Sequence, residues 1–254
     1  MALFYHLLIF FLLTLAKSED RLAEFCNNDK TYTRAKTSSN IDNVLSQLVV
    51  KTPLSGFANT SFGSGQDAIY GLAQCRGDVS TEECVKCTAD AAKQIRQVCT
   101  NQADARIWFD FCFLRYDTED FVGKLDTSFG VFYFNVENAT DPEAFVEKLG
   151  GLMDRVRAQG VGPTSRGLGK DKLKFSPFVT IYALVQCTGD LSRLSCAQCL
   201  ATAVSSFHTY CEYRKGCRVL YSSCYVRYEI YPFFFPLDSS KKAEGSYSRA
   251  IVHP

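Results

Sequence analysis

Cys75-Arg76-Gly77-Asp78-Val79-Ser80-Thr81-Glu82-Glu83-Cys84-Val85-Lys86-Cys87 decides how this chain is read, because its spacing returns at Cys187-Thr188-Gly189-Asp190, Cys196 and Cys199. Both copies are Cys-x8-Cys-x2-Cys with a Gly-Asp at the same offset. The pairs Cys75 and Cys187, Cys84 and Cys196, Cys87 and Cys199, Cys99 and Cys211, and Cys112 and Cys224 all lie 112 residues apart. The same step carries Asp78 to Asp190, Arg106 to Arg218, Arg115 to Arg227 and Tyr116 to Tyr228. Five cysteines in ungapped register describe a duplication. Two tandem modules are therefore expected, over residues 19–124 and 128–236, followed by a polar tail at 237–254 that is too short to pack alone.

A chain of 254 residues with 46% hydrophobic content can bury two cores of that size. Residues 1–18 hold the apolar run Leu7 to Leu13 followed by Ala16-Lys17-Ser18, which reads as a cleaved signal peptide. The run is shorter than the ~20 residues a spanning helix needs. Export changes the meaning of the 12 cysteines, since thiols in an oxidising compartment pair, whereas the same spacing in the cytosol suggests metal or redox chemistry. Asn59-Thr60-Ser61 and Asn138-Ala139-Thr140 are glycosylation sequons that the same route permits. With 28 basic and 27 acidic residues and no basic block, the chain has nothing to steer it onto nucleic acid. The polar tail cannot anchor in a bilayer, so a soluble extracellular protein without a membrane anchor is expected.

Ile41, Val44, Leu45, Leu48 and Val49 recur at helical period, which predicts a helix over Ser39 to Val50; Phe145, Leu149, Leu152, Met153 and Val156 predict its counterpart over Pro142 to Arg157. Ser80-Thr81-Glu82-Glu83 is a capping box, so a second helix runs from Thr81 to about Val98. Its counterpart over Leu191 to Tyr210 starts at Ser192 without the Glu. Arg106 to Tyr116, Arg218 to Tyr231 and Phe129 to Val136 are rich in aromatic and β-branched residues and read as strands, with short strands near Phe62 and Phe175. The expected fold is α+β, two disulfide-stapled modules of two helices on an antiparallel sheet.

Six cysteines in the first module permit many pairings, and the repeat narrows them. Adding 112 to Cys26 lands on Asn138, while Cys217 has no partner in the first copy. The economical reading pairs Cys26 with Cys99 and lets Cys211 pair locally with Cys217. Cys75 then meets Cys84 across the turn, Cys87 reaches Cys112, and the repeat gives Cys187–Cys196 and Cys199–Cys224. A zinc site or a redox dithiol at Cys84-Val85-Lys86-Cys87 fits the bare spacing, but needs a reducing compartment or a strand-helix context that is missing here.

The doubled signature, closing on Arg218-Val219-Leu220-Tyr221-Ser222-Ser223-Cys224-Tyr225-Val226-Arg227-Tyr228-Glu229, resembles the plant cysteine-rich repeat secretory proteins, which carry ginkbilobin-like or stress-antifungal domains. The resemblance covers nearly all of the mature chain and implies an apoplastic protein of the α+β fold above. It also implies a mannose-binding set of an Asn after the first cysteine, an Arg six residues before the last and an acid five after it. These positions hold Asn27, Arg106 and Asp117 in the first module, with Asp in place of Glu. An amide, a guanidinium and a carboxylate supply the donors and acceptors that sugar hydroxyls require. In the second module Arg218 and Glu229 match, but the 112-residue step puts Ala139 at the Asn position, so that site is expected to be degenerate. The plainer expectation pairs Arg106 with Asp117 and Arg218 with Glu229 across each sheet, with Asn27 capping a turn.

Catalysis is not expected, because His208 is the one histidine within the modules and paired cysteines leave no nucleophile. No cofactor or metal is implied. The expected function is a secreted, non-enzymatic recognition module for mannose-type glycans with a defence role, or alternatively a module that binds extracellular receptor proteins without sugar. The aromatic end Tyr221, Tyr225, Tyr228, Tyr231, Phe233, Phe234 and Phe235 is expected to lie at the junction of the modules.

Overall fold

Apolar periodicity and caps set the helices, and a computed structural model describes residues 21–236 and 247–252. The expected export segment at 1–18 lies outside the described residues. Helix α1, Ala35–Ser55, buries Asn40, Ile41, Val44, Leu45 and Leu48 along one stripe. It runs beyond the expected limits because Pro53 enters only in the last turn, where it removes a single backbone bond. Gly56, at φ 81°, then ends the helix in the left-handed region with its N–H on Thr52 O. Helix α2, Thr81–Val98, begins on the capping box: Glu83 N donates to Ser80 Oγ at 3.1 Å and Ser80 N to Glu83 Oε2 at 2.8 Å. In the second module α3, Pro142–Gly160, carries Pro142 in its first turn. Helix α4, Arg193–Ser205, is capped by Ser192 and breaks at Ser206, so the expected single helix over 191–210 is α4 followed by the short α5, Phe207–Tyr210.

Strands β1 (Ala23–Cys26), β2 (Phe57–Phe62), β3 (Ile69–Cys75), β4 (Ala105–Trp108) and β5 (Cys112–Asp117) form a sheet in the order β1-β4-β5-β3-β2. The second sheet contains β6 (Gly130–Asn135), β7 (Leu168–Lys174), β8 (Thr180–Cys187), β9 (Cys217–Tyr221), β10 (Cys224–Glu229) and β11 (Tyr247–Val252), in the order β11-β6-β9-β10-β8-β7. Both are antiparallel throughout. The stretch expected as one strand over Arg106 to Tyr116 is a hairpin, β4 and β5 joined through Phe109-Asp110-Phe111, and β9 and β10 repeat it around Ser222-Ser223. The polar tail is also corrected. Tyr247–Val252 pairs with β6 along its whole length, with Ala250 and Val252 against the second core.

Helices α1 and α2 cover one face of the first sheet, with Ile41, Val44, Leu48 and Ile95 packed on Ile107, Leu114 and Tyr116. Helices α3 and α4 cover the second sheet in the same way, with Phe145, Leu152, Val156 and Leu200 on Val185, Val219 and Val226. The other faces of the two sheets meet. Trp108, Phe113, Phe121, Phe129, Val131 and Leu220 form a third apolar cluster between them. The chain thus stacks helices, sheet, sheet, helices, and the inner strands are buried on both faces. Gly71 lets α1 sit close on β3, since a Cβ there would meet Val44 Cγ1 at 2.3 Å.

The structure contains the disulfides Cys26–Cys99, Cys75–Cys84, Cys87–Cys112, Cys187–Cys196, Cys199–Cys224 and Cys211–Cys217, with no free cysteine. Each lies inside one module. Cys87–Cys112 and Cys199–Cys224 each tie the second helix of a module to a central strand across 25 residues. Replacing both Cys87 and Cys112 with Ser is expected to lower stability by about 3 kcal/mol, from the chain entropy of a loop of that length. Chemical denaturation of the oxidised protein measures it, and a loss below about 1 kcal/mol would contradict the entropic account.

Candidate functional site

Alternation along β5 and β10 sends Cys112, Leu114 and Tyr116, and Cys224, Val226 and Tyr228, toward the helices. The intervening Arg115 and Asp117, and Arg227 and Glu229, face the seam between the sheets, and all four are buried. Trp108 donates from Nε1 to Tyr221 O at 3.1 Å across that seam. A guanidinium lies over an aromatic ring on each side, Arg115 over Phe121 at 3.8 Å and Arg227 over Phe233 at 4.2 Å.

The seam repeats itself under the 112-residue step. Gly77 N donates to Gln186 Oε1 at 2.9 Å, and Gly189 N donates to Gln74 Oε1 at 3.0 Å. Phe235 N donates to Asp78 Oδ2 at 2.7 Å, and Gly123 N donates to Asp190 Oδ2 at 2.7 Å. Arg218 Nη1 lies 3.1 Å from Asp110 Oδ1, while Arg106 Nη1 donates to Ser222 Oγ at 2.8 Å. Residue i of one module meets residue j of the other, and j meets i. This is the self-complementary contact of a two-fold dimer, held within one chain. The repeated Gly-Asp of each signature therefore works at the seam, through its backbone N–H and its carboxylate.

The symmetry breaks at Asp110, whose counterpart is Ser222. Asp110 Oδ1 sits 3.1 Å from Arg218, 3.2 Å from Arg227 and 3.8 Å from Arg76. Partial burial pushes its carboxyl up, but the three guanidiniums outweigh that and hold it at about 2. Arg76 is fixed in turn by Asp78 at 2.6 Å and donates to Phe233 O at 3.1 Å, and Arg227 is fixed by Glu229 at 2.9 Å. Three acids thus balance three arginines, of which Arg76 and Arg227 are buried. On the other side Arg106 lacks an acid at 222 and takes Asp126 of the connecting segment at 2.9 Å, which Arg115 shares at 3.0 Å.

The residues expected to bind sugar lie inside this charge network. Asn27 is half-buried; its Nδ2 donates to Asp104 Oδ2 at 3.0 Å, and its Oδ1 accepts from Asp29 N at 3.0 Å. Arg106 is buried, Asp117 is held by Lys30 at 3.2 Å and Arg115 at 3.9 Å, and Arg218 belongs to Asp110. The expected cross-sheet pairs Arg106 with Asp117 and Arg218 with Glu229 are not formed, because these arginines bond across the seam or to the connecting segment. Asp104 Oδ1, Arg106 Nε and Arg115 Nε are buried without a hydrogen-bond partner. Burial and the repulsion of Asp117 push the Asp104 carboxyl up against the pull of Arg106.

The second module keeps the asparagine that the 112-residue step put at Ala139. Asn27 N donates to Asp104 O at 3.0 Å and Asn135 N to Gly216 O at 2.9 Å; the Oδ1 of each accepts from the backbone N–H two residues on. Ala23 opposes Trp108, and Val131 opposes Leu220, so the step in this strand is four residues shorter. Asn135 is therefore the counterpart of Asn27, and Ala139 is buried in the core. Here the tail strand closes the site. Tyr247 opposes Asn135 in the ladder, its hydroxyl donates to Glu229 Oε2 at 2.7 Å, and it also contacts the Tyr231 hydroxyl. Asp110, Asp126 and Tyr247 were not readable as functional positions. The one sequence signal is the acid at 110 where the repeat has Ser222. Asn59 and Asn138 of the two sequons are exposed, on β2 and after β6, and His208 is exposed on α5.

The family model for salt stress response/antifungal domains matches residues 25–119 and 134–231. Cysteine-rich repeat secretory protein 55 of Arabidopsis thaliana is 54% identical over 93% of this chain and 92% of its own. An antimicrobial ginkbilobin-2-like protein of Castanea crenata is 39% identical over 84% of this chain and 89% of its own. Among solved structures, the tandem DUF26 ectodomain of the Arabidopsis thaliana cysteine-rich receptor-like protein PDLP8 superposes with a TM-score of 0.73 at 29% identity, over 84% of this chain and 98% of that one.

Asp110→Ala is expected to cost about 2–3 kcal/mol, because Arg218, Arg227 and Arg76 lose a shared partner at a site that water partly reaches. The folded carboxyl, at about 2, lies below its unfolded value of ~3.9, so its contribution is full above about pH 4 and disappears as pH falls toward 2. Denaturation curves between about pH 2 and 6 should show that part of the acid decline in the native protein and not in D110A. An equal acid decline in both would contradict the role of Asp110.

Proposed function

The chain belongs to the salt stress response/antifungal family, and on that premise we propose that it is a secreted, non-enzymatic recognition protein whose two modules act as one body. The observation that carries this reading is the seam. Reciprocal bonds across it commit Asp78, Asp190, Gln74, Gln186 and Asp110 to holding the modules together. Carboxylates that could serve in acid–base chemistry are spent in the same way, Asp117, Asp126 and Glu229 in ion pairs with arginine or lysine. What remains for function is the outer surface, which suits an extracellular partner.

A second reading, binding of mannose-type glycans in the first module, draws support from three unsatisfied buried atoms, Asp104 Oδ1, Arg106 Nε and Arg115 Nε, close to half-exposed Asn27. Against it, Arg106 and Asp117 already have charged partners, and a sugar would have to displace them. A defence role would follow the printed description of the Castanea crenata relative as antimicrobial, and inhibition of fungal growth by the purified protein tests it.

The expected result on an array of neutral glycans is no mannose-type binding above that of Asn27→Ala. Binding that falls roughly tenfold in both Asn27→Ala and Lys30→Ala would establish the sugar reading in its place. Both side chains are partly exposed but bond the buried Asp104 and Asp117, so unchanged melting curves are the control that each variant remains folded.

A further inference from the structure

Two clefts open on one side of the seam. One, of about 360 Å³, runs from Ser55 and Phe57 of the first module to Leu191 and Arg193 of the second. The other, of about 310 Å³, runs from Leu54 and Thr81 to Leu168. They share Ser55, Gln74, Ser165 and Arg166, so they form one groove with the Ser165-Arg166 turn at its centre. Its size is that of a small-ligand site.

The groove has a distinctive charge. The chain carries 27 acidic residues, yet among the described residues no Asp or Glu lines either cleft. Arg76 lines one of them, but Asp78 holds its guanidinium at 2.6 Å. Arg166 and Arg193 are different: both are exposed, and neither forms an ion pair or side-chain hydrogen bond with a described residue. The first turn of α4, which holds Arg193, has no acid to offset the positive end of the helix, whereas the first turn of α2 has Glu82 and Glu83.

Arg166 occupies a costly position. Its φ is 51°, in the left-handed region, where a non-glycine residue costs of order 1 kcal/mol or more. The turn is fixed by Ser165, whose Oγ donates toward Gly160 O at 2.7 Å or Gly162 O at 2.9 Å and accepts from Gly167 N at 3.3 Å. The polar side chains at the centre of the groove are engaged. Gln74 Nε2 donates to Gly56 O and Cys75 O, and Ser55 Oγ to Phe57 O. The free charged donors are the two guanidiniums, which line the same cleft as half-buried Phe57.

We propose that this groove binds an acidic oligosaccharide, a chain of uronate-type sugars whose carboxylates pair with Arg166 and Arg193 and one of whose rings lies on Phe57. Guanidinium and carboxylate match in charge and in planar geometry, and an aromatic face accepts the apolar face of a sugar ring. The site is separate from Asn27, Arg106 and Asp117. It rests on the extracellular reading only for the availability of such a polymer.

Calorimetry on the oxidised protein tests it with short oligo-uronates of about three to six sugars, the same sugars methyl-esterified, inorganic sulfate and a hexaglutamate peptide. The expected result is uronate binding that weakens with salt, vanishes on esterification, and falls roughly tenfold in each of Arg166→Gln and Arg193→Gln. Both residues are exposed, and unchanged melting curves show that the variants remain folded. Absence of uronate binding, or binding unaltered in the double variant, overturns the proposal. Sulfate matching the uronate would make the groove a simple anion site, and tighter binding of hexaglutamate would make it a peptide site; either result overturns the assignment to sugars. Such a failure would leave the seam and the recognition reading intact, because neither depends on Arg166 or Arg193.

Discussion

Asp110 lies between Arg218, Arg227 and Arg76, and the inner faces of the two sheets can meet only because those guanidiniums have an acid to share. Burying a charge without a partner is far more costly than burying a methyl group. The seam is accordingly built as a set of matched ions set into an apolar cluster of Trp108, Phe113, Phe129 and Leu220. Aromatic rings over Arg115 and Arg227 complete the solvation that water would otherwise supply. The helices, by contrast, cover ordinary apolar faces and would do so in either module alone.

Duplication explains why the matching is reciprocal. A patch that complements itself needs one set of residues to serve both sides, and Gln74 with Gln186 and Asp78 with Asp190 still do so. Once both copies lie in one chain, each side is free to change separately. The acid at 110 and the serine at 222 show this, with Asp126 of the connecting segment substituting for the missing carboxylate. The same freedom lets Tyr247 cover the second module's Asn135 and Glu229, while the corresponding region of the first module has Lys30 and Glu119 at its surface.

The α+β architecture was legible in the sequence because it depends on short-range patterns: helical stripes such as Ile41-Val44-Leu48, the capping box at Ser80 and the repeated cysteines. Strands buried on both faces were harder to delimit. Arg115, Asp117, Arg227 and Glu229 alternate with apolar residues as solvent-facing positions would, yet they point into the seam. The charged interior carries no signal of its own, since a buried arginine and an exposed one are the same letter. The 112-residue step that points to Ala139 does not hold in this strand, where the repeat is four residues shorter and the Asn stands at 135. The pairing of Tyr247–Val252 with β6 depends on contacts more than a hundred residues away in sequence, which a local polar composition does not reveal.

The location of the six disulfides, none of which joins one module to the other, has a consequence for biosynthesis. The last bridging cysteine of the first module is Cys112 and the first of the second is Cys187, so oxidation of the leading half can finish while the trailing half is still being translated. During that interval Trp108 Nε1 lacks Tyr221 O and Asp110 lacks Arg218 and Arg227, and that face remains wet. A chaperone of the secretory pathway would meet this half-built surface rather than an unfolded chain. Docking is then the final event of maturation, between two bodies whose internal cross-links are already closed.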